Sequence, residues 1–349
     1  MKQIINYEES LGIFKKYIRD NISEESINKL ISAFAKVQGL GLGIFKINTK
    51  EDIYNIFTME FTKIRNIKNI LKKNSQYFVA LNLADEYIKF KKGKKKKKDK
   101  TKFDFQNFER DAIINFSTII EQFKTYYNNF ISSENKDIVY SIIDKFEVRA
   151  CPYCNLSYID VIRNENENIL RPALDHFYPK SKYPFFALSF FNLVPTCYEC
   201  NSPLKRVEDT KEIINPFEKD FDKLAKFTIS LSGDGQLNHI LSDLSAFDIE
   251  LNSIKNNDKD IIDNQKECFA LNIRYRYRKD EASEIFSKCI LDTPEFRSEI
   301  RRVFPNISTK YIEKLIYGNS LSCDDINKRP LAKMTCDLVE FYKTKTKGK

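Results

Sequence analysis

The chain has 349 residues, of which 42% are hydrophobic, and it contains only 9 glycines and 10 prolines. At roughly 150 residues per domain, this length allows about two domains, and the apolar content can build a sizeable core. Because a β-sandwich needs frequent turn residues, the composition argues against that class and favours a mostly helical protein.

The net charge of +9 is concentrated in one segment. Residues 89–102 contain ten lysines and one aspartate, so this segment alone carries +9 and the rest of the chain is balanced. Such a run repels itself and is predicted to be a flexible linker. It could also act as an arm that gathers a phosphate backbone by counterion release, and the two interpretations are compatible.

No membrane or secretory segment is expected. The N-terminal 20 residues lack the apolar stretch of a signal peptide, and the longest nearly apolar run, residues 183–194, is too short to cross a bilayer. We therefore predict a soluble, cytoplasmic protein, in which cysteines stay reduced. In that setting, eight cysteines indicate metal binding before disulfide bonds.

Both ends of the chain are predicted to be helical. In the N-terminal region, 1–88, apolar residues at helical spacing predict helices over 23–37, 53–61 and 75–90, and the glycine-rich stretch 39–43 is predicted to be a turn. Three further regions follow the linker: a helical connector over 103–145, a region rich in proline, aromatic residues and cysteine over 146–222, and a C-terminal region over 223–349 with a β-hairpin at 227–240 before its helices.

Two Cys-x-x-Cys pairs carry the clearest chemical signal in the sequence. Cys151 and Cys154 form the first knuckle, and Cys197 and Cys200 form the second. Two such pairs complete a tetrahedral thiolate site for a zinc ion, and four cysteines leave no open position, so the zinc would be structural. A redox function is the other interpretation of one Cys-x-x-Cys pair, and two pairs weaken it. The remaining cysteines are predicted to be small buried side chains.

Between the knuckles lies a predicted strand–loop–strand unit. Leu174–Phe177 is expected to be a strand, residues 178–189 a loop, and residues 192–195 a second strand. Ser202 and Pro203 are expected to start a helix, because serine is a good cap and proline suits the first turn. The predicted fold class is therefore α+β and mostly helical, with a small zinc-bound ββα unit flanked by helical regions.

Over about 55 positions, from Cys151 to Lys205, the chain resembles the zinc-stapled HNH, or ββα-metal, endonucleases. The matching features are the Asp175-His176 pair, the Asn-Leu-x-Pro that begins at Asn192, and the Cys-x-x-Cys-Asn that ends at Asn201. The last letter of the family name stands for a histidine at this position. Asn201 departs from that name, and relatives have either His or Asn there.

The resemblance implies hydrolysis of phosphodiester bonds in nucleic acid. It implies that His176 is the general base and that Asp175 and Asn201 bind a catalytic Mg²⁺ or Mn²⁺. It also implies that Asn192 forms hydrogen bonds within the loop and fixes the His176 backbone. Lys205 could hold the phosphate, and Lys180 and Lys182 border the loop where they could contact the substrate. Each residue also has an ordinary structural interpretation: a core histidine, a turn asparagine, a helix cap or a surface lysine.

A looser resemblance connects the chain to bacterial anti-phage nucleases, the PtuB-like HNH components of Septu and retron systems. It depends on Leu174–Ser181 and on residues 214–217, and it does not cover residues 1–145. It implies an ATPase partner protein and a substrate that could be DNA or transfer RNA, with DNA preferred.

The competing hypothesis is a non-catalytic, zinc-stabilised nucleic-acid-binding module. Residues 274–279, where arginine alternates with tyrosine, suit stacking and phosphate contact, or a solvated helix face with buried tyrosines.

Overall fold

The computed structural model describes residues 1–93, 103–106, 108–165, 167–205, 211–232 and 240–346. Most of these residues are helical, and the strands form small antiparallel pairs, which confirms the predicted α+β, mostly helical class. None of the helices in the described part of the chain is long and apolar enough to cross a bilayer.

Seven helices precede the cysteine-rich region in the described residues: α1 (Glu8–Asn21), α2 (Glu24–Ala35), α3 (Lys50–Thr58), α4 (Phe61–Lys73), α5 (Ser75–Lys91), α6 (Arg110–Phe130) and α7 (Lys136–Asp144). Helix α2 begins next to the predicted start at residue 23, and the Ser23 side chain caps it by accepting a hydrogen bond from the Ser26 amide. The predicted glycine turn is also present, and Gly41 takes a left-handed φ of 80° that favours glycine.

The start of the lysine-rich segment is helical. Helix α5 ends at Lys91, one residue beyond the prediction, and the ammonium groups of Lys91 and Lys92 lie 3.8 and 2.8 Å from the Glu121 carboxylate on α6. These ion pairs connect the end of α5 to α6. The rest of that segment, residues 94–102, lies outside the described residues.

Three two-stranded antiparallel sheets occur among the described residues, formed by β1 (Ile162–Arg163) with β2 (Asn168–Leu170), β3 (Ala173–His176) with β4 (Leu193–Thr196), and β5 (Ala225–Leu231) with β6 (Phe247–Ser253). The predicted second strand of the C-terminal hairpin, near residue 240, is wrong. That strand is β6, where Phe247, Ile249 and Leu251 alternate with polar residues and face the core. The predicted hairpin turn lies within residues 233–239, outside the described part.

Six helices complete the described C-terminal region: α8 (Lys259–Cys268), α9 (Leu271–Arg276), α10 (Lys279–Leu291), α11 (Pro294–Val303), α12 (Thr309–Tyr317) and α13 (Ala332–Thr346). One hydrophobic core connects the N-terminal helices, the cysteine-rich region and α13. The loop between β3 and β4 contributes to it through Phe185, whose ring contacts a set of aromatic residues from the N-terminal helices: Phe34, Phe45, Tyr77, Phe116 and Phe123. The loop is therefore anchored from outside the cysteine-rich region.

Candidate functional site

The four cysteines of the two knuckles form one buried cluster. Their sulfur atoms all lie within 4.8 Å of one another, and the Sγ atoms of Cys154 and Cys197 are 3.9 Å apart. Zinc–sulfur bonds of about 2.3 Å in a tetrahedron place sulfur atoms about 3.8 Å apart. The cluster could therefore hold a metal ion such as zinc, as the spacing predicts.

Residues far along the chain hold the cysteine cluster. Arg274 Nη1 donates to the Cys200 sulfur at 3.4 Å, and the Tyr275 hydroxyl donates to the Cys154 carbonyl at 2.7 Å. Asn155, at a left-handed φ of 54°, donates to the carbonyls of Ile326 and Arg329. Helix α9 thus packs Arg274 and Tyr275 against the knuckle cysteines. Of the two tyrosines in 274–279, Tyr277 is 77% exposed and fits the predicted stacking role, whereas Tyr275 is buried.

The other four cysteines lie outside this cluster. Cys289 and Cys336 are buried, as predicted for small apolar side chains, and Cys268 is half-buried. Cys323 is exposed, so the prediction is wrong at that position. It lies in the short helical turn Cys323–Lys328, which has charged neighbours in the sequence rather than the apolar spacing of a core helix.

Strands β3 and β4 lie between the knuckles, one residue away from their predicted positions. Asp175 pairs with Val194, and His176 pairs with Leu193 at the end of the ladder. The predicted helix start at Ser202 is wrong, because helical structure begins at Tyr198 and Pro203 lies inside a π-helical turn, Cys200–Leu204. The knuckle itself starts the helix, since the Cys197 carbonyl accepts a hydrogen bond from the Asn201 amide at 3.1 Å.

Asp175 is buried and accepts hydrogen bonds from one hydroxyl group and one ammonium group. Its Oδ2 accepts from the Tyr153 hydroxyl at 2.8 Å and from Lys205 Nζ at 2.7 Å, and Lys205 also donates to the His176 carbonyl at 2.7 Å. Asp175 is 4% exposed and Lys205 is 1% exposed. In this arrangement Lys205 neutralises Asp175 and does not face solvent, which differs from the predicted phosphate contact.

His176 is held as a neutral ring. Its Nε2 lies 2.9 Å from the Ala187 carbonyl oxygen, which can only accept, so Nε2 carries the proton and Nδ1 is the basic nitrogen. Burial lowers the pKa of His176 to about 3, and the positive charges of Lys180 and Lys205 act in the same direction. The imidazole is therefore uncharged at neutral pH.

The other predicted site residues near Asp175 and His176 differ in how deeply they are buried. Asn192 is fully buried, accepts from the Tyr178 amide at 2.8 Å, and donates to the carbonyls of Tyr178 and Phe186. It therefore fixes the loop two residues beyond His176 rather than His176 itself. Lys180 is half-buried beside the Tyr127 ring, and the Lys182 carbonyl accepts from the Tyr77 hydroxyl at 2.6 Å.

The oxygen atoms near His176 suit a hard cation only in part. Asp175 and Asn201 offer a carboxylate and an amide oxygen, the ligand type of Mg²⁺, and the turn that carries Asn201 packs against β3. However, Asp175 Oδ2 is shared by a hydroxyl and an ammonium group, which leaves Oδ1 for a metal. Among the described residues, the knuckle cysteines form the one cluster of three or more Cys, His, Asp or Glu with metal-ligand spacing.

A surface groove of about 730 Å³ lies away from His176. It runs between α7 and the second knuckle, and it meets the sheet at Ala173 and Thr196, the opposite end of the ladder from His176. Tyr158 and Tyr198 are exposed on its walls. Its charges are mixed, with Lys136 and Arg171 beside Asp160 and Glu199, so it has no net attraction for an anion.

Sequence reasoning missed Tyr153, Tyr127, Arg274 and Tyr275 as site residues. Tyr153 lies inside the first knuckle, and a tyrosine between two metal-binding cysteines was the one local signal available. Comparison with known proteins adds no further identification, since no family model, curated protein or solved structure matches this chain.

Proposed function

We propose that the chain is an HNH-type endonuclease that hydrolyses phosphodiester bonds in nucleic acid, with His176 as the general base. The observation that supports this most is the state of His176. The ring is neutral, its Nε2 is bound to the Ala187 carbonyl, and its Nδ1 keeps a free lone pair at the end of β3. A neutral imidazole fixed through one nitrogen can accept a proton from water through the other.

The low pKa of His176 has two consequences for this chemistry. It keeps the ring deprotonated at pH 7, but a base with a pKa of about 3 accepts a proton only weakly. A phosphodiester bound nearby brings a negative charge, which stabilises the protonated ring and raises its pKa. Substrate binding would thus bring the pKa of His176 closer to neutral pH, where a general base works best.

The charge on the scissile phosphate must also be balanced. A Mg²⁺ or Mn²⁺ ion held by Asp175 Oδ1 and the Asn201 side-chain oxygen would supply charge relief at the phosphate and the leaving oxygen. Among the lysines that the structure describes, Lys180, half-buried beside the Tyr127 ring and near His176, is the one best placed to attract the phosphate. Lys205 would do so only after leaving Asp175.

The substrate and biological setting are proposed from the resemblance alone. DNA is the preferred substrate, with transfer RNA as the alternative, and the setting is bacterial anti-phage defence with an ATPase partner. The stretch Ile214–Phe217, part of that resemblance, is a buried anchor. Asn215 is 1% exposed and donates to the Phe191 carbonyl, and the Pro216 carbonyl accepts from the Ile4 amide.

A second candidate function is a non-catalytic, zinc-stabilised nucleic-acid-binding module. One observation favours it: the ammonium group of Lys205 already neutralises the carboxylate that a catalytic cation would use. In that case Asp175 and Lys205 are a structural ion pair, and a divalent cation has no effect on the protein's interaction with nucleic acid.

A cleavage assay separates the two functions. The chain, copurified from its host with any bound partner, is incubated with supercoiled plasmid and with transfer RNA, in Mg²⁺, Mn²⁺ or EDTA. The nuclease proposal expects nicks or cuts in at least one substrate with metal and none with EDTA. Tight binding without any cleavage, with zinc at one ion per chain, would support the binding module instead.

A further inference from the structure

Helix α6, which lies outside the cysteine-rich region, reaches the candidate base. The ring of Tyr127 on α6 lies against the His176 ring, with centroids 4.5 Å apart and planes at 62°. This is the edge-to-face contact that aromatic rings favour. A residue of the N-terminal half of the chain therefore forms one wall around His176.

The face of the same tyrosine also holds a lysine. Lys180 Nζ lies 4.2 Å from the centroid of the Tyr127 ring, well within the distance of a cation–π contact. Tyr127 thus connects the candidate base with the nearby cation that we propose for phosphate attraction. His176 and Lys180 belong to the strand and loop between the knuckles, but the ring that sets their spacing does not.

Burial and the packing of α6 hold the Tyr127 side chain in place. Its side chain is 7% exposed, and α6 packs against the short helical turn Pro184–Phe186 of the β3–β4 loop. One turn earlier on α6, Phe123 contacts the Phe185 ring, and Lys124 forms an ion pair with Asp85 on α5 at 3.0 Å. The helix and the loop are therefore docked together one turn before the His176 contact, and the ion pair ties the same turn of α6 to α5.

We propose that Tyr127 is a positioning residue that fixes the His176 ring and seats Lys180 beside it, so that the N-terminal helices complete the candidate active site. The torsion that rotates a histidine ring has a broad energy profile. One hydrogen bond from Nε2 to the Ala187 carbonyl leaves that rotation weakly restrained. A ring packed edge to face at 4.5 Å blocks it.

Histidine-selective ¹⁵N labelling tests the positioning directly, because the chain has only two histidines. His239→Gln assigns the two sets of signals. Wild type and Tyr127→Phe are expected to give a single His176 tautomer with the proton on Nε2 and ring protons shifted by the neighbouring aromatic face. Tyr127→Leu is expected to lose the ring shift and to give signals averaged over both tautomers.

The matched control is Tyr126→Leu. Tyr126 is the adjacent residue on α6, is 6% exposed, and contacts Phe57, Phe123 and Ser26 rather than His176. It should lower stability without changing the His176 signals. If Tyr127→Leu does not fold, Tyr127→Met, whose unbranched side chain adapts to irregular space, replaces it. A His176 tautomer and ring shift unchanged in a folded Tyr127 variant without an aromatic ring would overturn the proposal.

The catalytic consequence depends on the proposed nuclease function and is measured separately. Tyr127→Leu should lower kcat by about tenfold or more with a smaller change in KM, since a misplaced base slows the chemical step. Tyr127→Phe should restore kcat to near the wild-type value. If no substrate is cleaved by wild type, the nuclease proposal fails while the ¹⁵N measurement still decides the positioning. Equal kcat in Tyr127→Leu and wild type would contradict the catalytic part.

Discussion

Lys205 and Asp175 form an ion pair inside the protein, with Lys205 Nζ 2.7 Å from Asp175 Oδ2 and both side chains almost fully buried. Removing one member of such a pair leaves the other charge without its counterion, which costs about 3–5 kcal/mol. We therefore expect Lys205→Met to lower the free energy of unfolding by about that amount, measured by urea denaturation at saturating zinc.

Two further variants identify the ion pair as the cause. Lys180→Met removes a half-buried lysine of the β3–β4 loop and should cost less than about 1 kcal/mol, the size of a cation–π contact. The double variant Asp175→Asn, Lys205→Met should be more stable than the sum of the single changes predicts, because it removes both charges. A Lys205→Met protein as stable as wild type would show that Lys205 is available for another partner.

The sequence was informative where the chemistry is local. Cysteines separated by two intervening residues predict their own cluster. The strands beside His176 were placed within one residue, because a proline and a change in apolar pattern mark their ends. Tyr127 could not be predicted in the same way, since its ring meets His176 only after α6 has docked on the loop. Periodicity shows that a helix has a buried face, but not which partner covers it.

Two errors show how a strong local signal can mislead. Ser202-Pro203 looks like a helix start, but the second knuckle had already begun the helical turn through the Cys197 carbonyl. Two glycines in residues 233–235 led to the prediction that the second strand follows at once. The strand that pairs with β5 is instead Phe247–Ser253, in which apolar and polar residues alternate. The alternative of buried tyrosines in 274–279 is correct for Tyr275, but the contacts of Arg274 and Tyr275 with Cys200 and Cys154 depend on long-range packing and could not be predicted.

Arg274 should slow the loss of zinc from the cysteine cluster. A zinc ion with four thiolates carries a net negative charge, and the Arg274 guanidinium lies 3.4 Å from the Cys200 sulfur. Changes in such outer partners typically cost 10–100-fold in metal affinity. We expect Arg274→Gln to release zinc to a coloured chelator about tenfold faster than wild type. Arg276→Gln, an exposed arginine two residues further on α9, is the control, and equal rates in all three proteins would refute this prediction.

Protonation of His176 should make the protein less stable as the pH falls. Its pKa is about 3 in the folded protein and 6.5 in the unfolded chain, so the unfolded chain takes up the proton first. The stabilisation is fully present above pH 6.5 and is lost as the pH falls towards 3. Between pH 7.5 and 5.5, wild type should lose about 1.4 kcal/mol more unfolding free energy than His176→Gln.

Urea denaturation of both proteins at the two pH values measures this difference. Because both variants keep the four cysteines, proton uptake by the zinc ligands affects them equally and cancels in the comparison. Parallel stability changes in wild type and His176→Gln would mean that the His176 ring is no harder to protonate in the folded protein than in the unfolded chain.

The central claim is that His176 is the base of a phosphodiesterase site. The most direct measurement is cleavage of plasmid DNA and transfer RNA in Mg²⁺ or Mn²⁺ by wild type, His176→Ala and His239→Ala, each shown to be folded and to hold one zinc ion per chain. We predict that wild type and His239→Ala cleave at the same rate, while His176→Ala loses at least about 100-fold of the activity. Cleavage by His176→Ala at the wild-type rate would contradict the claim.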